Sequence, residues 1–269
     1  MFRICAIGDV VGKAGRRCVA RILPHIRKEF DPHIVLCNGE NAAGGFGLTK
    51  KVYEELSTKQ GIDAITMGNH WHDKREIYEF GPKMPNLVLP GNMENVETLG
   101  EGLKILTSAS GQRYAVINLI GRAFMKHKNS CPFQAADELI GRIPSSVKIR
   151  IVDFHAEATS EKQALAQYLR RRISLFYGTH THTPTADERI FDAHTGFATD
   201  VGMTGAYDSV IGIKTETSLS KFLGTAKKSY EPAKKDPWLC ALLATVDPET
   251  GACKDIRRTR IELSLLGDE

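Results

Sequence analysis

Ile149-Arg150-Ile151-Val152-Asp153-Phe154-His155 and Leu175-Phe176-Tyr177-Gly178-Thr179-His180-Thr181-His182 bracket a helical pattern over residues 160–172. Each flanking run is short and apolar, the size of a buried strand. Ser160 with Gln163 has capping-box spacing, which would tie up free N–H groups at the helix start. Strand, helix and strand at this spacing make a βαβ unit with parallel strands. Both strands run out into histidine.

The same pattern repeats toward the N-terminus. Residues 2–7 form a β-type run, and over 12–30 Val19, Ile22, Leu23 and Ile26 recur at helical spacing, with Pro24 expected to kink or break that helix. Residues 33–37, 64–67, 87–89 and 115–120 are further strand candidates, and 51–59 a helix. Past Asp187 the pattern changes. Residues 189–197 and 238–247 look like antiparallel strands, Pro248-Glu249-Thr250-Gly251 is a turn, and 254–263 returns with alternating Ile256, Ile261 and Leu263. The basic stretch 227–237 reads as an exposed loop. The expected architecture is one layered α/β domain over 1–269, with a largely parallel central sheet and a β-rich C-terminal part.

Composition narrows the class. The 269 residues are 42% hydrophobic and 25% charged, near globular averages. The net charge of +4 (36 Lys and Arg against 32 Asp and Glu) favours anions mildly and makes no case for nucleic acid. No apolar run reaches a membrane span, and the first strand is too soon interrupted by Gly8-Asp9 for a leader, so the expected compartment is the cytoplasm. The six cysteines, at 5, 18, 37, 131, 240 and 253, form no C-x-x-C pair and read as small structural residues.

The polar residues gather at strand ends: Gly8-Asp9, Asn38-Gly39-Glu40-Asn41, Gly68-Asn69-His70, His155, and Gly178-Thr179-His180-Thr181-His182. Parallel strands bring their C-terminal ends to one edge, where open α/β folds bind ligands. The glycines are expected to supply unusual backbone angles. His180 and His182, alternating along an extended segment, would point to one side. Asp9, Glu40, Asn41, Asn69, His155, His180 and His182 offer more ligands than one tetrahedral ion needs. Carboxylate and imidazole suit manganese, iron, zinc or nickel, and a carboxylate-bridged pair of ions uses such a set naturally. Asp9 as a mere helix cap is the bland alternative. Gly8-x-x-x-Gly12-x-x-Gly15 does not fit a dinucleotide loop, and Gly12-Lys13 lacks the P-loop spacing.

Gly8-Asp9-Val10-Val11-Gly12, Asn38-Gly39-Glu40-Asn41-Ala42-Ala43, Thr66-Met67-Gly68-Asn69-His70, Asp153-Phe154-His155, Gly178-Thr179-His180-Thr181-His182 and Thr199-Asp200-Val201-Gly202-Met203-Thr204-Gly205 occur in that order. Together they resemble the YmdB-type branch of the calcineurin-like metallophosphoesterases, from the N-terminus to about Gly212. The resemblance implies a four-layer α/β/β/α sandwich and two metal ions, iron first and manganese second. It implies a phosphodiesterase for cyclic nucleotides, 2′,3′-cyclic AMP foremost, acting by metal-hydroxide attack. Asp9, Glu40, Asn41 and His182 would hold one ion. Asn69, His155 and His180 would complete the other, with Glu40 bridging. His70 would be the proton donor.

Against the wider superfamily, the usual D-x-H opening is here Asp9-Val10-Val11, and Glu40 replaces the bridging Asp, so Asn41 stands in for a missing ligand. Against the branch, Trp71-His72-Asp73 replaces Thr-Trp-Asp, which shifts an aromatic ring expected near the substrate. His72 and His127 read as surface residues, while for Arg122 a phosphate contact and a surface position stay equally open. The rival readings are a phosphomonoesterase or nucleotidase on the same ions, and a regulatory protein with slow turnover. Homo-oligomerisation is left open.

Overall fold

A computed structural model describes residues 1–93, 102–126, 128–225 and 230–266. The chain forms β1 (Phe2–Val10), α1 (Gly12–Phe30), β2 (Ile34–Asn38), α2 (Lys50–Glu54), β3 (Ala64–Thr66), α3 (Ile77–Phe80) and β4 (Leu87–Val88). Then follow β5 (Leu103–Thr107), β6 (Arg113–Ile120), α4 (Pro132–Gly141), β7 (Ile149–His155), α5 (Thr159–Leu169) and β8 (Leu175–Thr179). The C-terminal part holds β9 (Arg189–Phe191), β10 (Thr195–Ala198), β11 (Met203–Ala206), α6 (Thr215–Phe222), β12 (Pro237–Val246) and β13 (Cys253–Glu262).

The strand pattern alone suggests one largely parallel central sheet; there are two, as the family resemblance implies, ordered β13-β12-β11-β1-β2-β3-β4 and β5-β6-β7-β8-β10-β9. Strand alternation shows how they stack. In β1, Ile4 and Ala6 join a core with Tyr114, Val116, Ile149 and Ile151 of the other sheet. Cys5 and Ile7 face the opposite way, onto Val19, Ile22, Leu23 and Ile26 of α1. On the far side of the second sheet, Ile117, Val152 and Phe176 pack against Leu139 of α4 and Leu165 of α5. These three cores separate four layers, α/β/β/α. Buried on both faces, the central strands are apolar at nearly every position, which is why period-two alternation is faint in them.

Several local expectations change. Pro24 does not break α1, which runs unbroken over Gly12–Phe30. Pro24 lies on its exposed side, where water can satisfy the carbonyl it strands. The helix expected over 51–59 is α2 followed by a wider i→i+5 turn at Glu55–Lys59. The capping box at Ser160 is not made: α5 starts at Thr159 without a side-chain cap, and Glu161 instead accepts the backbone N–H of Arg122 at 2.9 Å. The strand expected over 189–197 is a hairpin, turning at Asp192-Ala193 with φ of 51° and 52°. Positive φ at both central residues matches the twist of the flanking strands.

Of the stretch 227–237, residues 227–229 lie outside the described residues, as does His127. Most of the remainder is an exposed loop, as expected, anchored where Ala233 is buried and Pro232 packs against Gly45. All six cysteines are free, and all but Cys131 are buried, as read from sequence. Among the described residues no helix is long and apolar enough to cross a membrane.

Candidate metal centre

β1, β2, β7 and β8 end at the same edge of the sandwich. β1 and β2 pair in parallel, with Asp9 opposite Asn38. β7 and β8 do likewise in the facing sheet, with His155 opposite Thr179. The loops leaving these strands meet between the sheets.

Glycine permits the meeting, though not through unusual angles as expected. Gly8, Gly39, Gly68 and Gly178 all lack positive φ. What each removes is a Cβ. One on Gly8 would lie 1.8 Å from the Gly202 carbonyl oxygen, and one on Gly68 would lie 2.3 Å from both Glu40 Oε2 and His155 Nε2. The unusual angles belong to the histidines themselves, with φ of 101° at His180 and 63° at His182. The two are therefore not related by simple alternation along an extended segment. Such backbone costs about 1–3 kcal/mol per residue and persists where surrounding contacts over-determine it. Here the His180 N–H donates to Asp9 Oδ2 at 3.1 Å, and the Thr181 hydroxyl to Asp200 Oδ2 at 2.8 Å. Asp200 is in turn held by Lys162, whose Nζ lies 2.6 Å away in a fully buried ion pair.

All seven candidate ligands come together. His155 Nε2 lies 3.2 Å from Glu40 Oε1, 3.0 Å from Asn69 Oδ1 and 3.0 Å from His180 Nδ1. Glu40, His155 and His180 each offer a ligand atom within 4.8 Å of the others. On the other side of Glu40, Asn41 Nδ2 lies 3.0 Å from Glu40 Oε1 and 3.2 Å from His182 Nε2. Asp9 is fully buried beside His155, with 3.8 Å between Oδ1 and Nδ1. It does not cap α1, where Val11 holds the cap position.

The donor set fits metal ions. Each histidine has one nitrogen tied to oxygen and the other turned toward the cluster, the arrangement that orients metal-binding imidazoles. His155 Nδ1 donates to the Thr179 hydroxyl at 2.9 Å, and Thr179 donates onward to Asp153 Oδ1 at 2.7 Å. His180 Nε2 faces Glu157 Oε2 at 3.2 Å, and His182 Nδ1 donates to the Ile211 carbonyl at 2.8 Å. Asp9 Oδ1 is buried without a hydrogen-bond partner. A carboxylate oxygen so placed is costly unless a cation meets it.

The charges follow from burial and proximity. Burial, then the charge on His155, pushes His180 down to about 3, so its imidazole is neutral and free to donate a lone pair. Burial raises Asp9 to about 6 despite His182 and His155 nearby. Burial would raise Glu40 and lower His155, but each overrides that for the other. The Glu40 carboxyl is held well below its ordinary range, and His155 is raised to about 9.

His70 is placed differently. Its backbone N–H donates to Glu40 Oε2 at 2.9 Å, while ring Nδ1 turns to Asp73 Oδ2 at 2.8 Å. It lines a cavity of about 240 Å³ together with Glu40, Asn41, His180 and His182. The far wall is apolar and includes Phe46, Ile211 and Tyr230, none of which was singled out from sequence. A larger groove, about 650 Å³, includes Arg27, His33 and Gly61, near the opposite strand ends and away from the ligand cluster. Trp71 does not approach the substrate side. It is buried in the core beneath the first sheet. Neither His72 nor Arg122 lines the 240 Å³ cavity.

Residues 5–259 match the family model described as YmdB-like protein. The chain belongs to the YmdB-like family. Over 260 residues it is 44% identical to the 2′,3′-cyclic-nucleotide 2′-phosphodiesterase of Bacillus subtilis (strain 168), spanning 97% of both proteins. A solved structure described as a novel phosphatase from Mycoplasma pneumoniae superposes with a TM-score of 0.90 at 33% identity, covering 97% of this chain and 93% of that one. YfkN of Bacillus subtilis, a calcineurin-like phosphoesterase, superposes with a TM-score of 0.54 at 13% identity over 98% of this chain and 91% of its own. At that distance the likeness is one of fold alone.

Proposed function

We propose that this chain is a metal-dependent phosphodiesterase that opens 2′,3′-cyclic nucleotides, 2′,3′-cyclic AMP foremost. The carrying observation is the Glu40-centred cluster, in which three histidines each keep one nitrogen for a metal. The 44% identity to an enzyme named for that substrate supports the choice of diester.

Asp9, Glu40, Asn41 and His182 would hold one ion, and Asn69, His155 and His180 the other, with Glu40 shared. Iron suits these ligands, and manganese is the second choice. When bound, the two ions neutralise the phosphoryl oxygens and lower the pKa of water at the site. Asn41 would ligate through its amide oxygen, so the amide has to turn over from its present contact with His182. His70 is the proton donor. Asp73 accepts from Nδ1, which leaves Nε2 to protonate the ribose oxygen as its bond to phosphorus breaks.

The fold reading extends to the whole chain as one domain in the cytoplasm. The pairing of β12 with β1 supports the single domain, since it joins the C-terminal part to the first strand in one sheet. The test is metal analysis of anaerobically purified protein, coupled to a screen of 2′,3′- and 3′,5′-cyclic nucleotides. About two ions per chain and turnover of 2′,3′-cyclic AMP are expected. Metal-free protein inert toward every diester would sink the reading. Faster turnover of a chromogenic monoester than of its diester would move it to a phosphomonoesterase; the Mycoplasma pneumoniae structure is described as a phosphatase.

A further inference from the structure

Resting on that reading, we infer that the apolar side of the 240 Å³ cavity is the subsite for the base of the nucleotide, with Phe46 and Tyr230 as its stacking surfaces. The cavity has two unlike walls. One is made of Glu40, Asn41, His180 and His182, which meet the phosphoryl group. The other is made of Phe46, Val210, Ile211, Ile213, Phe222 and Tyr230, which offer no charge to a phosphate. A cyclic nucleotide is divided in the same way, into a singly charged phosphodiester end and a flat aromatic one.

The placement is specific. The Phe46 ring lies 5.0 Å from the His70 ring, edge to face. Since His70 protonates the leaving ribose oxygen, Phe46 sits about one sugar away from phosphorus. Tyr230 stands 6.5 Å from Phe46, and Lys221 Nζ lies over its ring, 3.3 Å from the centroid. Phe46 is set in Gly44-Gly45-Phe46-Gly47, and all three glycines have positive φ. A Cβ on Gly45 would lie 2.7 Å from Pro232, so this loop is locked against the segment that carries Tyr230. Below the ~300–1,000 Å³ usual for drug-sized ligands, the cavity suits one nucleoside, not a longer chain. Trp71, the aromatic residue that sequence order brought forward, is buried elsewhere and leaves this role to Phe46.

The experiment compares kcat/KM of the metal-loaded enzyme for 2′,3′-cyclic AMP and for a base-free diester, methyl ribofuranoside 2′,3′-cyclic phosphate. In Phe46→Ala the ratio of the two is expected to fall about tenfold, the scale of one lost base–aromatic stack, and Phe46→Tyr restores it. An unchanged ratio overturns the subsite. A second measurement needs no variant and no turnover: saturation-transfer NMR of the wild-type protein with adenosine and with ribose. Adenosine should bind and ribose should not. Equal or absent transfer overturns the subsite, whereas failure of the phosphodiesterase reading appears separately, as wild-type protein inert toward both diesters.

Discussion

His155 is oriented from behind. Its Nδ1 proton is fixed by Thr179, and Thr179 by Asp153, which also accepts from Asn38 Nδ2 at 3.1 Å and from the Thr66 hydroxyl. Asp153 and His155 lie two apart on β7, so they share a face, and the sequence could have revealed this pair. Removing the hydroxyl while keeping the shape, as in Thr179→Val, frees the imidazole to rotate. Metal affinity is expected to fall about 10–100-fold, read by competition with a chelating dye. Wild-type affinity would show that Thr179 does not orient the ligand. His70 makes the contrasting prediction. With its ring outside the cluster, His70→Ala should keep its metal and lose about 10²–10⁴ in kcat. Loss of metal instead would make His70 a ligand.

At the scale of elements, the segment His180-Thr181-His182 leaves β8 and carries two ligands on strained backbone. It is tied to α5 and to the approach to β11 through one buried pair, Lys162 with Asp200. Asp200 also accepts the Gly202 N–H at 2.8 Å, so a single carboxylate pins the loop and the turn into β11. Lys162→Ala strands that carboxylate away from water. A loss of about 3–5 kcal/mol is expected in urea unfolding, the usual consequence of breaking a buried pair from one side. A loss under 1 kcal/mol would mean that water or a rearranged partner replaces the ammonium. Helix periodicity puts Lys162 on the same face as Leu165, Ala166 and Leu169, but nothing in the sequence marks its charge as buried. It lies near the start of a helix that reads as amphipathic, and only the packing of α5 against β8 buries it.

Across the whole molecule, the ligands come from both sheets. Asp9, Glu40, Asn41 and Asn69 follow strands of the first, while His155, His180 and His182 come from the second. Metal should therefore clamp the two layers together. Chelation is expected to lower Tm, and restoring manganese or iron to recover it. Saturation at a hundred times Kd is worth about 2.7 kcal/mol. A Tm indifferent to chelation would show that the ions do not bridge the halves.

Order along the chain was enough to identify the strand ends, their glycines and the Asp, Glu, Asn and His that follow them, because parallel strands send their C-terminal ends to one edge. The family resemblance carried the four-layer class, and the spacing of polar residues after the strands carried the candidate ligands. The sequence could not show why the glycines are needed, since close approach between distant loops leaves no local pattern. It also could not place Phe46 and Tyr230, which are far apart in sequence yet have ring centroids 6.5 Å apart, where Pro232 packs on Gly45. Trp71 shows the same limit in reverse, adjacent to His70 in the chain yet turned into the core. Neighbours in sequence share a backbone, but only the tertiary fold decides which side chains share a cavity.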